Sequence, residues 1–146
     1  MRELAMERWI SLIDLGREAE SDGWVIDTIL DERQKNLWKI EDNFIIDWRL
    51  AFYFIPHGKK VFLTVEPTEA ARRIFHDESR LWVEVHETIE HAAENIIVRR
   101  NSEDERYMKY YGVHIYDMNL YDVVVDTTDK TPEQVFDEVM QKIKDA

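Results

Sequence analysis

The sequence predicts an α/β fold in which a parallel sheet is flanked by helices. Short apolar runs rich in strand-forming residues alternate with segments of helical periodicity, and several of these segments begin with helix-capping signals. Strands that alternate with helices are joined by right-handed crossovers and pair in parallel. We therefore expect three layers, with helices on both faces of the sheet.

The first third of the chain is predicted to be helical. A short helix is expected from about residue 4 to residue 8, and Ser11-Leu-Ile-Asp14 resembles a capping box that starts a second helix. After the break at Ser21-Asp-Gly23, apolar residues recur at helical spacing between Ile26 and Leu37. This pattern predicts a third helix.

Three apolar runs are predicted to be buried strands. They are Phe44-Ile-Ile-Asp47, Val61-Phe-Leu-Thr-Val65 and Asp122 to Thr127. Each run is too short for a helix and rich in strand-forming residues, as buried strands of parallel sheets are.

Further helix signals lie between the last two predicted strands and after the last one. Pro67 favours a helix start and Phe75 lies near its end, and a longer helix is expected from about Val83 to Tyr110, ending before Gly112. Thr131-Pro132-Glu-Gln134 is typical of a capping box. The residues of that last helix expected to face the core are Val135, Phe136, Val139, Met140 and Ile143.

Composition excludes several classes of function. The 146 residues suit one domain, and a net charge of −12 argues against nucleic-acid binding, which requires a basic face. The chain has no cysteine for disulfides or thiolate metal sites. It also has no apolar segment typical of a signal peptide or membrane span, so we expect a cytoplasmic location and no membrane partner. His86 and His91 are five residues apart, a spacing unsuited to a shared zinc ion on one helix face.

Six motifs in the same order resemble those of the compact cytidylate kinases of archaea and some bacteria. They are Met1-Arg-Glu-Leu-Ala5, Ile29-Leu-Asp-Glu-Arg-Gln34, Asp47-Trp-Arg-Leu-Ala51, Arg99-Arg-Asn-Ser-Glu-Asp-Glu-Arg-Tyr107, Tyr111-Gly-Val113 and Tyr121-Asp-Val-Val-Val-Asp-Thr127. The resemblance implies the nucleoside monophosphate kinase fold as one domain over residues 1–146. Its regions would be a monophosphate-binding region at about 1–55, a lid at about 80–112 and a C-terminal strand and helix at 121–145.

The resemblance also implies an activity, since the family transfers the terminal phosphoryl group of ATP to CMP or dCMP with Mg²⁺. By position, Arg2 and Arg49 would hold the acceptor phosphate, with Asp47 near the acceptor or the metal. Arg99 and Arg106 would be catalytic lid arginines, and Glu103 would read the cytosine amino group. Asp31 and Arg33 are further candidates for substrate contact. Simpler roles also fit most of these charges. Arg49 fits a surface ion pair, Asp47 fits a turn cap, and Asp31 and Arg33 fit a local pair on one helix. Arg99 and Arg106 fit solvated helix charges beside Glu103 and Glu105.

One family feature is missing from the sequence, which contains no Gly-x-x-x-x-Gly-Lys-Ser/Thr loop. We therefore expect a kinase chain truncated at its N-terminus, without the family's first two strands and phosphate loop, and nearly inactive. Its exposed strand edges would favour self-association. The alternatives are a non-catalytic nucleotide-binding or interaction module derived from such a kinase, and a purely structural domain.

Glycine is scarce, with four residues against five tryptophans. Trp9, Trp38 and Trp48 fall at or near positions where the family prefers glycine. We hypothesise that these three positions are encoded by UGA codons, which the source organism reads as glycine and which are translated here as tryptophan.

Overall fold

The computed structural model describes residues 2–21, 28, 32, 35, 37–40, 43–80 and 86–145. These residues form two compact units. The first comprises Met1–Gln34 and Pro67–His114, and the second Lys35–Glu66 and Ile115–Ala146. The single domain and its regions predicted from the sequence stay a prediction.

Helices and two short strands follow one another along the described part of the chain. In order, they are α1 (Arg2–Arg8), α2 (Leu12–Ser21), α3 (Leu37–Ile40), α4 (Ala51–Phe54), β1 (Val61–Thr64), α5 (Pro67–Phe75), a 3₁₀ turn (Glu78–Arg80), α6 (Ile89–Tyr111), a second 3₁₀ turn (Met118–Leu120), β2 (Val123–Asp126) and α7 (Pro132–Asp145). Most of the helix predicted between residues 26 and 37 lies outside the described residues. Among the helices that the structure describes, none has the length and hydrophobicity that a membrane span requires.

Helices α1 and α2 pack together through small and aliphatic side chains in the first unit. The start predicted for α2 is confirmed, because Ser11 Oγ accepts from the Asp14 N–H at 3.0 Å as an N-cap does. The Asp14 carboxylate accepts from the Ser11 hydroxyl at 2.7 Å and not from the Ser11 backbone N–H, so the predicted capping box forms only in part. The cap fixes where α2 begins. The buried residues of the resulting cluster are Ala5, Leu12, Leu15 and Ala19.

The long helix α6 begins later than the sequence predicted. Thr88 is its N-cap and accepts from the His91 N–H at 3.1 Å, so residues 86–88 precede the helix and the predicted start at Val83 is wrong. The predicted end is confirmed. Gly112 takes the left-handed conformation, with φ 67°, and its N–H bonds to the Met108 carbonyl.

The sheet of the second unit confirms the α/β class and the parallel pairing. Strands β1 and β2 pair in parallel, with the register running from Val61 opposite Val123 to Thr64 opposite Asp126. Strand β2 buries Val123 and Val125, as predicted. Strand β1 is only half-buried and exposes Leu63, so its prediction as a fully buried strand is wrong.

The strand predicted at Phe44-Ile-Ile-Asp47 is also wrong. Residues 44–47 have no regular secondary structure, and the Ile45 side chain is fully exposed. A strand requires a neighbour for its backbone N–H and C=O groups. Among the described residues, the sheet consists of β1 and β2, so this apolar run has no ladder beside it.

Helix α7 begins where the sequence predicts. The Thr131 N–H donates to Gln134 Oε1 at 2.9 Å, and the Gln134 N–H donates to Thr131 Oγ1 at 3.3 Å, which completes the box. The helix packs on β2, and Lys142 Nζ donates to the Val124 carbonyl at 2.9 Å. The core-facing prediction is wrong for Phe136, 62% exposed, and for Met140, which is also exposed. None of α7's residues is buried.

Candidate functional site

A pocket of about 520 Å³ lies within the first unit, with α2 and α6 as its walls. Ligand pockets commonly have volumes of this order. The α2 side contributes Ser11, Leu12, Ile13, Asp14, Gly16 and Arg17, and the α6 side contributes His91, Asn95, Val98, Arg99, Ser102, Glu103 and Arg106.

The α6 wall contains three of the charged residues singled out in the sequence. Arg99, Glu103 and Arg106 are spaced by four and then three residues, so their side chains leave the same face of the helix. All three line the pocket. The structure therefore brings both predicted lid arginines and the predicted base-reading carboxylate to one cavity.

Two of these charged groups are largely removed from water. Glu103 is 4% exposed and Arg106 is 7% exposed. A guanidinium stays charged at any ordinary pH, and such groups are rarely buried unless they are paired. Arg106 Nη1 donates to Ser102 Oγ at 2.5 Å, one turn earlier in the helix. This contact fixes the direction of the guanidinium along the pocket wall.

The α2 wall contributes an ion pair that the sequence analysis missed. Arg17 Nη1 lies 3.1 Å from Asp14 Oδ1, and the two side chains are 73% and 56% exposed. Their spacing alone suggests only a surface pair on a helix. The packing of α2 against α6 places both residues on the pocket.

Polar groups at the start of α6 complete the lining. His91 Nδ1 accepts from the Glu87 N–H at 3.4 Å. The Asn95 amide nitrogen lies 3.2 Å from His86 Nδ1, and the His86 and His91 rings meet edge to face at 5.7 Å. Neither His91 nor Asn95 was a sequence candidate for the site. In the described part of the chain, no three potential metal ligands cluster together.

The balance of charge in the pocket differs from that of the whole chain. Its lining carries three arginines and two carboxylates, whereas the full sequence has a net charge of −12. Arginine presents a planar fork of N–H donors that matches phosphate oxygens. The pocket is thus chemically suited to an anionic group.

The remaining sequence candidates are not among the described residues that line this pocket. Asp47 and Arg49 are exposed residues of the second unit, just before α4, and their convergence with the pocket stays a prediction. Arg2 belongs to α1, but its side chain lies outside what the structure describes. Asp31 and Arg33 are outside the described residues altogether.

Comparison with known proteins identifies the family. The model of the cytidylate kinase-like family matches residues 2–129. The chain belongs to the cytidylate kinase-like family. This membership confirms the resemblance found in the sequence and supports a nucleotide kinase function. No solved structure matches the chain.

Individual members of the family match along nearly the whole chain. The cytidylate kinase of Methanococcoides burtonii is 32% identical over 146 residues, which cover 99% of this chain and 78% of that protein. The cytidylate kinase of Methanosarcina acetivorans is 30% identical over 93% of this chain and 73% of its own length. That of Methanocella arvoryzae is 35% identical over 87% of this chain and 68% of its own length.

The family implies ATP and a divalent metal for its complete members. Mg²⁺ in such enzymes is usually held by substrate phosphates and one or two carboxylates. A cage of protein ligands is therefore not needed in such enzymes. What the described residues supply is the positive pocket, and charge neutralisation is the main requirement of phosphoryl transfer.

Proposed function

We propose that the pocket between α2 and α6 binds CMP or dCMP, and that the chain is a phosphotransferase of the type ATP + CMP/dCMP to ADP + CDP/dCDP. The observation that carries this proposal is the alignment of Arg99, Glu103 and Arg106 along one wall of one pocket. Arginine side chains neutralise the phosphoryl group during transfer, and a single one contributes roughly 10³ to 10⁵ in rate where this has been measured.

Glu103 determines which pyrimidine base the pocket prefers. Its carboxylate accepts a hydrogen bond from the exocyclic amino group of cytosine. Uracil presents a carbonyl oxygen at that position, which a carboxylate repels. Because Glu103 is buried, water screens this repulsion poorly, so the site distinguishes the two pyrimidines.

The family motifs support further contacts in the same proposal. Arg2 and Arg49 hold the acceptor phosphate, Asp47 lies near the acceptor or the metal, and Asp31 and Arg33 contact the substrate. The cytoplasmic location stays a prediction.

The absent phosphate loop favours a second candidate function. Since the sequence has no Gly-x-x-x-x-Gly-Lys-Ser/Thr loop, nothing in it provides the usual cradle for the ATP phosphates. We propose that a polypeptide of these 146 residues transfers phosphate very slowly. The alternative is a nucleotide-binding module that does not catalyse transfer. Measurable CMP binding with no CDP formed from MgATP would favour this alternative.

Thermal unfolding with nucleotides tests the binding proposal. A ligand at one hundred times its dissociation constant stabilises a protein by about 2.7 kcal/mol. We expect CMP and dCMP to raise the melting temperature, UMP to raise it less and AMP to leave it unchanged. If none of the four nucleotides stabilises the chain, the proposed function is wrong and a purely structural role is favoured.

Two neighbouring arginines provide a matched pair of variants. Arg99 lines the pocket, whereas Arg100 is exposed and does not line it. Arg99→Gln is expected to weaken CMP binding about tenfold, the effect of losing a hydrogen bond between charged groups. Arg100→Gln removes the same charge one residue away and should leave the affinity unchanged. Equal losses in both variants would point to overall charge rather than to the pocket.

A further inference from the structure

We infer that Arg17 is a further substrate-binding residue, whose guanidinium binds the phosphate of the nucleoside monophosphate from the α2 side of the pocket. The inference rests on the proposed function, because it concerns the same pocket and the same ligand. Arg17 belongs to none of the motifs that carry the family resemblance.

The first argument is the position of Arg17 across the pocket. Arg99 and Arg106 lie on α6, whereas Arg17 lies on α2, which packs against α6. A phosphate group presents several oxygens that point in different directions. Donors on one helix reach only some of them, so a cation on the second wall complements the first two.

The second argument is the weakness of the contact that Arg17 makes with Asp14. The two groups are 3.1 Å apart, but both side chains are mainly exposed. Exposed ion pairs of this kind contribute little to stability, typically between zero and about 1 kcal/mol. A bound phosphate, with a charge of nearly two, competes effectively for the guanidinium.

The third argument is that Asp14 holds Arg17 near the pocket without filling it. Asp14 is itself held by Ser11, whose Oγ donates to Asp14 Oδ2 at 2.7 Å while Oδ1 faces Arg17. The carboxylate therefore keeps the arginine close to the pocket. It also repels an incoming phosphate, so the two residues act on phosphate binding with opposite signs.

Titration calorimetry of the full chain with CMP and with cytidine tests the inference. Arg17→Gln is expected to lower the affinity for CMP roughly tenfold and to leave that for cytidine, which has no phosphate, unchanged. Asp14→Asn should raise the affinity for CMP about two- to threefold, since it removes a like charge and keeps the side-chain shape. Damage to the fold would weaken CMP binding in both variants. A lower affinity in Arg17→Gln together with a higher affinity in Asp14→Asn would therefore support the inferred contact.

The Arg8–Glu18 pair provides the control. It is also an exposed arginine–carboxylate pair of the first unit, with its closest atoms 3.0 Å apart, and it does not line the pocket. Arg8→Gln and Glu18→Gln should leave both affinities unchanged.

The outcomes separate the inference from the proposed function. If Arg17→Gln keeps the full preference for CMP over cytidine while Arg99→Gln loses it, the inference is wrong and the proposed function stands. If neither variant changes CMP binding, both are wrong.

Discussion

Trp9 occupies the position at a helix end where glycine is most common. The N–H of Trp9 bonds to the Met6 carbonyl, and the N–H of Ile10 bonds to the Ala5 carbonyl, which together form a Schellman motif. Trp9 has φ 57°, in the left-handed region, and its side chain is 89% exposed. The indole therefore gains little packing while the backbone carries strain.

Replacing Trp9 with glycine should stabilise the chain. We expect Trp9→Gly to raise the free energy of unfolding by about 1 kcal/mol, because glycine adopts positive φ without a clash. Urea unfolding measures the change. Trp9→Ala removes the indole but keeps Cβ, so it should give little gain. Equal gains from both variants would assign the effect to the indole and not to the backbone.

The backbone at Trp48, another proposed glycine position, differs from that at Trp9. Trp48 is half-buried and stacks on Phe54, with ring centroids 5.1 Å apart and planes at 6°, and its φ is not positive. The backbone there does not require glycine. Sequencing the gene would test the hypothesis directly, since UGG codons at positions 9, 38 and 48 would exclude recoding.

The raised pKa of Tyr121 makes the stability of the second unit depend on pH. Its hydroxyl donates to the Ile115 carbonyl at 2.7 Å, and its ring contacts Phe52 and Phe62. Burial, aided by Tyr116, raises the pKa of Tyr121 to about 12, although Arg49 acts in the opposite direction. The ordinary value for tyrosine is about 10.

This shift predicts a loss of stability at alkaline pH. The folded state binds the phenolic proton more tightly than the unfolded state, so the stabilisation is complete below about pH 10 and is lost as the pH rises toward 12. Denaturant unfolding at several pH values measures the slope. Tyr121→Phe should lose about 1 kcal/mol from the missing hydrogen bond and show a smaller alkaline slope. Tyr53→Phe, at an exposed tyrosine of the same unit, is the control and should keep the slope.

Three of the helix boundaries that a local signal defines were predicted correctly from the sequence. The N-cap at Ser11, the capping box at Thr131 and the left-handed Gly112 all appear as predicted. Each depends on groups within a few residues of one another. The sequence placed the start of α6 at Val83 because apolar residues continue upstream of the true cap, Thr88.

The cap of α7 provides a test at the level of the element. Thr131→Ala should lower the free energy of unfolding by about 1 kcal/mol, the usual cost of losing a side-chain cap. Thr131→Ser keeps a hydroxyl and should retain most of the stability. Thermal unfolding followed by circular dichroism measures both variants. A cap that contributes nothing would leave Thr131→Ala as stable as the parent chain.

At the level of the whole molecule, several large apolar side chains of the described residues are exposed. In the second unit, Ile45, Leu63 and Phe136 are exposed, and β1 has an edge without a described neighbour. The outer edge of β2 is partly covered, because its Val124 and Asp126 carbonyls accept from Lys142 Nζ and Lys130 Nζ. Such edges present unpaired N–H and C=O groups to other chains. We propose that the chain self-associates through them.

Sedimentation velocity over a range of concentrations tests this proposal. We expect the average mass to rise with concentration, and Leu63→Lys to reduce the rise, because a charge on an edge strand opposes pairing. Phe136→Lys, on α7, serves as the comparison. If only Phe136→Lys reduces association, the contact is made by the helix and not by the strand edge. A monomer at all concentrations would exclude self-association.

The sequence by itself determined the class of the protein and much of its local structure. Motif order identified the family, and capping residues and periodicity located α2, α5 and α7, because these signals depend on neighbours along the chain. It also named Arg99, Glu103 and Arg106, whose spacing places them on one helix face.

The tertiary structure decided what these elements do together. Residues 44–47 are apolar enough for a strand, but a strand forms only beside another strand, and the described residues provide none there. Arg17 and Asp14 are ordinary helix charges in the sequence. They became part of the site because α2 packs against α6, a contact between residues far apart in the chain, which no local pattern specifies.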